Sequence, residues 1–369
     1  MKVIVVGAGI AGMAIGWRLA QTGAHVEIFE RGLAGRGATW AAAGMIIPGG
    51  ELEEESADLA RFARRSRELW PGFAAELESE SGCTIDYSEP GSLLVALDET
   101  RARALEQRAA RIAASSVKAE WVARKELRNR EPLLSSALHG ALHILEDARV
   151  DNRLAGEALR VALSKRNVAV HENTEVTGLT IIDGRVRGIV CDGRPIAGDA
   201  TIAASGAWMN ELHGTAGVLP PMKPAKGQMI CVRPPRGTML PRPLLGSDDV
   251  YIVPRGDRIL IGATVEDAGF DTSVSRQACM GLLSAAARII PDIGVWGVSE
   301  IWAGLRPRTP DGAPVLGETA LPGLLVASGQ YRNGILFAPA VADAMSRIVL
   351  SGQVSSEIRA FDPRRFASS

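Results

Sequence analysis

At 369 residues the chain exceeds the usual size of a single domain, so two domains with a ligand site between them are the starting expectation. Its 41 Lys and Arg nearly cancel its 42 Asp and Glu, which gives no support for a nucleic-acid or anionic-membrane partner and favours a small one. No apolar run approaches the length of a membrane span. Cys83, Cys191, Cys231 and Cys279 lie far apart without a C-x-x-C pair, as reduced thiols of a cytoplasmic protein would, and the scattered histidines indicate no metal site.

The first element is a β-branched run, Val3 to Val6, suited to a buried parallel strand. Gly7, Gly9 and Gly12 follow at G-x-G-x-x-G spacing, with Ala8, Ile10 and Ala11 between them. Gly7 permits the tight turn, Gly9 lets a pyrophosphate approach the backbone, and Gly12 lets the ensuing helix pack on the sheet. That helix aims its free N–H groups and positive dipole end at the same place, so an anionic dinucleotide is the natural ligand. His25 to Glu30 reads as the second strand, ending on a carboxylate at the distance where it meets a ribose. A signal-peptide reading of this stretch is rejected, because three glycines would weaken its apolar region.

Ala38 to Met45 is rich in small residues, which lets something flat come close or equally lets a helix pack closely on the sheet. Glu51 to Glu55 reads as a solvated loop and first helical turn, and Ser56 to Ser81 as an amphipathic helix with Leu59, Phe62, Leu69, Phe73 and Leu77 near one side. Gly91 to Leu97 reads as a strand and Glu99 to Ser115 as an exposed helix; this region looks like part of a separate domain. Asp151 is the N-cap of a helix through about Ser164, and Val168 to His171 returns to the first sheet. Val176 to Ile182 and Arg185 to Cys191 flank Asp183-Gly184, a hairpin signal. Asp199 to Ala204 is a further strand ending at Ser205-Gly206-Ala207-Trp208, again open to close ligand approach. Lys223 to Val265 supplies several short strands, Ser273 to Ile290 a helix, and Ile301 to Pro307 leads into a proline-rich turn. Leu324 to Ala327 is the last strand of the first sheet. Gly329 to Leu336 then opens a helix to about Leu350, a second helix N-terminus available to a cofactor.

These pieces, in this order, resemble the FAD-dependent D-amino acid oxidase superfamily and within it the bacterial glycine oxidases of the thiamine pathway. The resemblance rests on the opening fingerprint through Glu30-Arg31, on Ala38 to Met45, on Ser205 to Trp208, on Gly304 to Gly312 and on Gly329 to Leu336. It implies a mixed α/β fold. A Rossmann-like FAD-binding domain (1–80, 147–215 and 305–369) would be interleaved with a smaller antiparallel-sheet substrate domain (81–146 and 216–304). The glycine loop would hold the pyrophosphate and Glu30 the adenosine ribose, with Arg31 beside it. Thr39, Ala42, Ala43, Gly44 and Met45 would line the ribityl chain and flavin, and the backbone of Val176 would meet adenine, with Gly206 and Trp208 also at the cofactor. Arg332, Asn333 and the amides of Gly334, Ile335 and Leu336 would face the flavin carbonyl end.

By the same resemblance Arg306 and Tyr251 would hold the carboxylate of a small amino acid or amine, with Arg332 close to both substrate and flavin. A guanidinium fork can grip a carboxylate through two parallel hydrogen bonds. Tyr331 and Trp302 are read as packing residues, and no catalytic acid or base is assigned. FAD would be non-covalent, since the last cysteine precedes the Arg306 motif. The implied reaction is flavin-dependent oxidation to an imine, which hydrolyses to oxo acid and ammonia, with molecular oxygen as acceptor and peroxide as product. A homotetramer is the implied assembly. Rival readings are a D-amino acid dehydrogenase or a sarcosine oxidase of the same superfamily, and, from another class, a non-catalytic FAD-binding subunit.

Overall fold

The Val3 to Val6 run does what its alternation dictates in the computed structural model, which describes residues 1–48, 56–112, 117–212, 217–246 and 250–366. Val3 and Val5 face a helical layer, and Ile4 and Val6 face an antiparallel three-stranded layer through Ile189 and Cys191. The strand Lys2–Val6 sits inside a six-stranded sheet whose order is Val315–Glu318, Leu324–Ser328, Ala200–Ala203, Lys2–Val6, His25–Phe29 and Ala169–His171. All neighbours are parallel except the Val315–Glu318 edge. From the central strand the chain leaves to one side, and Ala200–Ala203 pairs on the other, which makes a crevice at the carboxyl ends of these strands.

Helices Ile10–Gln21, Ala57–Ser81, Asn152–Lys165 and Gly334–Ser351 cover one face with a single apolar core that includes Trp17, Phe62, Trp70 and Phe337. Asp151 caps its helix as expected, accepting from the Arg153 and Leu154 amides. The turn at Asp183-Gly184 has positive φ at both residues, the conformation a two-residue hairpin loop needs. By length and composition Gly334–Ser351 could cross a membrane, contrary to the expectation that no run comes near that length; two-thirds of it is buried in the core. The acidic stretch 51–55 lies outside the described residues.

The second sheet has eight strands, in the order Gly297–Arg308, Lys223–Arg233, Arg258–Gly262, Tyr251–Arg255, Leu244–Leu245, Ser92–Ala96, Gly140–Ile144 and Ala119–Ala123. Here several expectations need correction. Lys223–Arg233 is one 11-residue strand rather than a short one, and it pairs along its length with the 12-residue strand Gly297–Arg308. Ile301 to Pro307 therefore lies inside a strand. Pro307 is tolerated because it stands on an edge strand opposite Pro224, so neither asks the other for a donor. The expected domain boundary at 304/305 falls within this strand. Nor is the Glu99–Ile112 helix simply exposed: Ala102, Leu105, Arg108 and Ile112 are buried against the sheet.

The two sheets meet at the small-residue segment. Ala41 and Ala43 pack with Met229, Cys231, Val253, Leu260 and Trp302 of the eight-stranded sheet. A Cβ on Gly304 would come within 2.4 Å of the Ala41 Cβ, so glycine is what allows this approach.

Candidate active site

A cavity of about 970 Å³ runs from the crevice of the parallel sheet to the face of the eight-stranded sheet. At its first end the three glycines separate into two kinds. Gly7 has φ +107°, and a Cβ there would stand 2.5 Å from the Ala204 carbonyl oxygen; a Cβ on Gly12 would stand 2.0 Å from the Gly7 carbonyl oxygen. Backbone packing alone demands both. Gly9 is different, for the nearest atom to its added Cβ is Thr39 Oγ1 at 3.6 Å, an ordinary contact. Nothing among the described residues fills the place its missing side chain leaves on the cavity wall. That is the vacancy a pyrophosphate needs, and it sits at the start of the Ile10–Gln21 helix.

Around this cradle the side chains are oriented in advance. The Glu30 carboxylate accepts from the amides of Ala8 and Gly32, each at 2.9 Å, which leaves its remaining lone pairs for hydroxyl donors. Thr39 Oγ1 accepts from the Ile10 amide at 2.8 Å. The Arg31 guanidinium lies 4.1 Å from the centre of the Trp208 ring. Ala8, Gly9, Ile10, Ala11, Glu30, Arg31, Val176, Gly206 and Trp208 all border the cavity with Gly7, while Gly12 does not: it acts in helix packing only. Residues of this kind, in this arrangement, suit a dinucleotide such as FAD.

Thr39, Ala42, Ala43, Gly44 and Met45 form the next part of the wall. Their positions are fixed from behind by a buried polar cluster that sequence patterning missed. Asn152 donates to the Thr39 and Trp40 carbonyls, and Arg255 donates to the Ala43 carbonyl at 2.7 Å and to Asn152 at 2.6 Å. Asp151 lies 3.4 Å from Arg255, whose pKa burial pushes down to about 10. Trp302 donates to the Ala41 carbonyl, so it is the packing residue expected. A Cβ on Gly44 would fall 1.9 Å from the Val150 oxygen. Arg255 ends the strand Tyr251–Arg255, and its charge gave no hint in the sequence of the loop it secures. Arg255→Met leaves Asp151 buried without its cation, so it is expected to cost about 3–5 kcal/mol. Thermal unfolding with and without added FAD would show a lower Tm and a smaller FAD-induced increase.

At the far end Tyr251 and Arg306 reach the same cavity from different strands of the second sheet. The Arg306 guanidinium lies against the backbone of Gly227, where a Cβ would be 2.3 Å from it, and donates to the Thr264 carbonyl at 3.2 Å. The Tyr251 hydroxyl donates to Met229 Sδ at 3.1 Å, and its ring occupies the space a Gly262 side chain would take. An isolated glycine within a strand pattern signals such close approach, and Gly227 and Gly262 are the residues that signal could have found. Arg332, Asn333, Gly334 and Ile335 complete the wall at the N-terminus of the last long helix. Leu336 does not reach the cavity; its carbonyl accepts from Ser66 and Trp70 inside the core. Tyr331, expected only to pack, borders the cavity.

Comparison with known proteins agrees with this geometry. The sequence profile of a family described as FAD dependent oxidoreductase, DAO, matches residues 2–348. A glycine oxidase of Geobacillus kaustophilus is 36% identical over 99% of this chain and 96% of its own length. A glycine oxidase of Pseudomonas aeruginosa is 34% identical, covering 94% of each. The crystal structure of glycine oxidase from Geobacillus kaustophilus superposes with a TM-score of 0.93 over 99% of both chains, at 34% identity.

Proposed function

The chain belongs to the DAO family of FAD-dependent oxidoreductases, and from that premise we propose that it oxidatively deaminates glycine or another small amino acid. One observation carries the reading: the open cradle at Gly9 and the Arg306–Tyr251 pair face one continuous cavity. When bound, FAD supplies the two-electron acceptor for the substrate α-hydrogen. The protein's task is placement. Arg306 holds the substrate carboxylate through two parallel hydrogen bonds, and Tyr251 exchanges its weak thioether acceptor for a carboxylate oxygen. Arg332 borders the same cavity, and the amides at the Gly334 helix start would stabilise negative charge at the flavin's carbonyl end when FAD is bound. Pinning the carboxylate fixes the α-carbon, which turns a bimolecular encounter into an oriented one.

The resulting imine hydrolyses to the oxo acid and ammonia, and oxygen accepts the electrons to give peroxide. The parts of the chain that build the parallel sheet and its helices act as the FAD-binding domain, and the parts that build the eight-stranded sheet, through Arg308, as the substrate domain. A homotetrameric cytoplasmic enzyme is the form we propose. The glycine oxidases named above support glycine as the first substrate to try.

Protein purified without added cofactor is expected to be yellow, to release FAD on denaturation and to keep no flavin on the polypeptide. It should generate peroxide with glycine or sarcosine or with one enantiomer of a small amino acid. Colourless protein, or yellow protein that yields no peroxide and no oxo acid from any of these, contradicts the reading.

A further inference from the structure

The cavity extends past Tyr251 to a part of the wall that holding FAD and one carboxylate does not explain. Leu105 of the Glu99–Ile112 helix packs in one apolar cluster with Leu94 and Leu245, against which Met45 and Tyr251 also rest. Arg101 and Arg108 stand one turn to either side of Leu105, so the helix period places all three on one face. Arg101, Arg108 and Arg111 all border the cavity. Arg108 is only 9% exposed, at a position where the amphipathic pattern calls for an apolar residue. The Arg101 Nε is buried with no hydrogen-bond partner among the described residues.

Charge sharpens the point. Among the described residues that border the cavity, seven are arginines and three are glutamates, in a chain whose net charge is −1. The pyrophosphate cradle accounts for anionic charge at the opposite end, on the other sheet, and Arg306 for one carboxylate. A low-dielectric cleft that concentrates guanidinium groups raises the local concentration of anions and discriminates against neutral ligands.

We propose that the Glu99–Ile112 helix forms a second anion subsite in the substrate pocket, so that the preferred substrates are amino acids or secondary amines with a further carboxylate remote from the reacting carbon. Arg306 and Tyr251 take the carboxylate next to that carbon, and Arg101 and Arg108, with Arg111 at the margin, take the remote one. This rests on the amino acid oxidase reading, and it names the substrate class that reading leaves open.

The test uses FAD-loaded enzyme and substrate pairs that differ in charge and little in size: aspartate against asparagine and glutamate against glutamine, each as both enantiomers, and N-(carboxymethyl)glycine against sarcosine. At least one acidic member is expected to exceed its neutral partner in kcat/KM by about 10-fold or more, the worth of one hydrogen bond to a charged group. In Arg101→Gln and Arg108→Gln that ratio should fall toward one. Arg101→Gln changes a partly exposed side chain, so it reports even where the buried Arg108 variant folds poorly. A second readout does not need turnover: succinate should perturb the visible flavin spectrum at lower concentration than propionate, and the difference should shrink in Arg101→Gln. Acidic and neutral partners used equally well, or ratios that survive both substitutions, would overturn the proposal while glycine oxidation stood. Absence of turnover with every amine would instead remove the oxidase reading, and the succinate titration would still decide whether the subsite exists.

Discussion

Replacing Arg306 by leucine is expected to lower kcat/KM for the amino acid substrate by roughly 10²- to 10⁴-fold, the loss of two hydrogen bonds to a charged group at about 1.5 to 3 kcal/mol each. FAD content should change little, since Arg306 stands on the second sheet and the pyrophosphate cradle on the first. Lysine should restore only part of the loss. The guanidinium is held against Gly227 and steered by the Thr264 carbonyl, a geometry fitted to a planar fork; an ammonium supplies charge without the second parallel bond. The control is a matched amine without a carboxylate, which Arg306→Leu should penalise far less than it penalises the amino acid. Equal losses on both substrates would remove Arg306 from the carboxylate site.

Gly9→Val should abolish FAD retention and leave the fold intact. A Cβ at Gly9 comes no nearer than 3.6 Å to another described residue, at Thr39 Oγ1, so a side chain there is aimed at the path of the phosphate. Losing the amide contacts to a doubly charged group should weaken FAD binding by roughly 10²-fold or more. Gly7→Val and Gly12→Val make the contrast. Their side chains would drive into backbone oxygens, and Gly7 already requires a positive φ, so these variants should lower Tm sharply. FAD titration of refolded protein, beside a thermal scan of each variant, separates the two kinds of glycine. Tight FAD binding by Gly9→Val would show that the phosphate lies elsewhere.

What the sequence made legible follows from how local the signals were. Strand Lys2–Val6, the glycine turn and the acidic end of the second strand are set by neighbours within thirty residues, and they stand where the pattern placed them. The hairpin at Asp183-Gly184 and the Asp151 cap were legible for the same reason. Long-range pairing was not. Pro307 looked like the start of a turn because its suitability for an edge strand depends on Pro224, more than eighty positions earlier in the chain. Arg255 gave no signal because its partners, Asp151, Asn152 and the Ala43 carbonyl, come from two distant segments. The Glu99–Ile112 helix looked exposed because an arginine at a core position reads as solvent-facing until the cavity beneath it is seen. Arg306, Tyr251 and Arg332 could be singled out only through resemblance to a family, since an arginine before a proline carries no signal of its own; the structure brings all three to one cavity.

The most direct measurement is anaerobic addition of glycine, and of small amino acids of both hands, to FAD-loaded protein while the visible flavin band is followed. The wild type should bleach with at least one of these substrates, Arg306→Leu should bleach far more slowly with the same one, and admission of oxygen should restore the band. A band that stays oxidised with every amino acid, or that bleaches equally in both proteins, would contradict an amino acid oxidase whose substrate is held by Arg306.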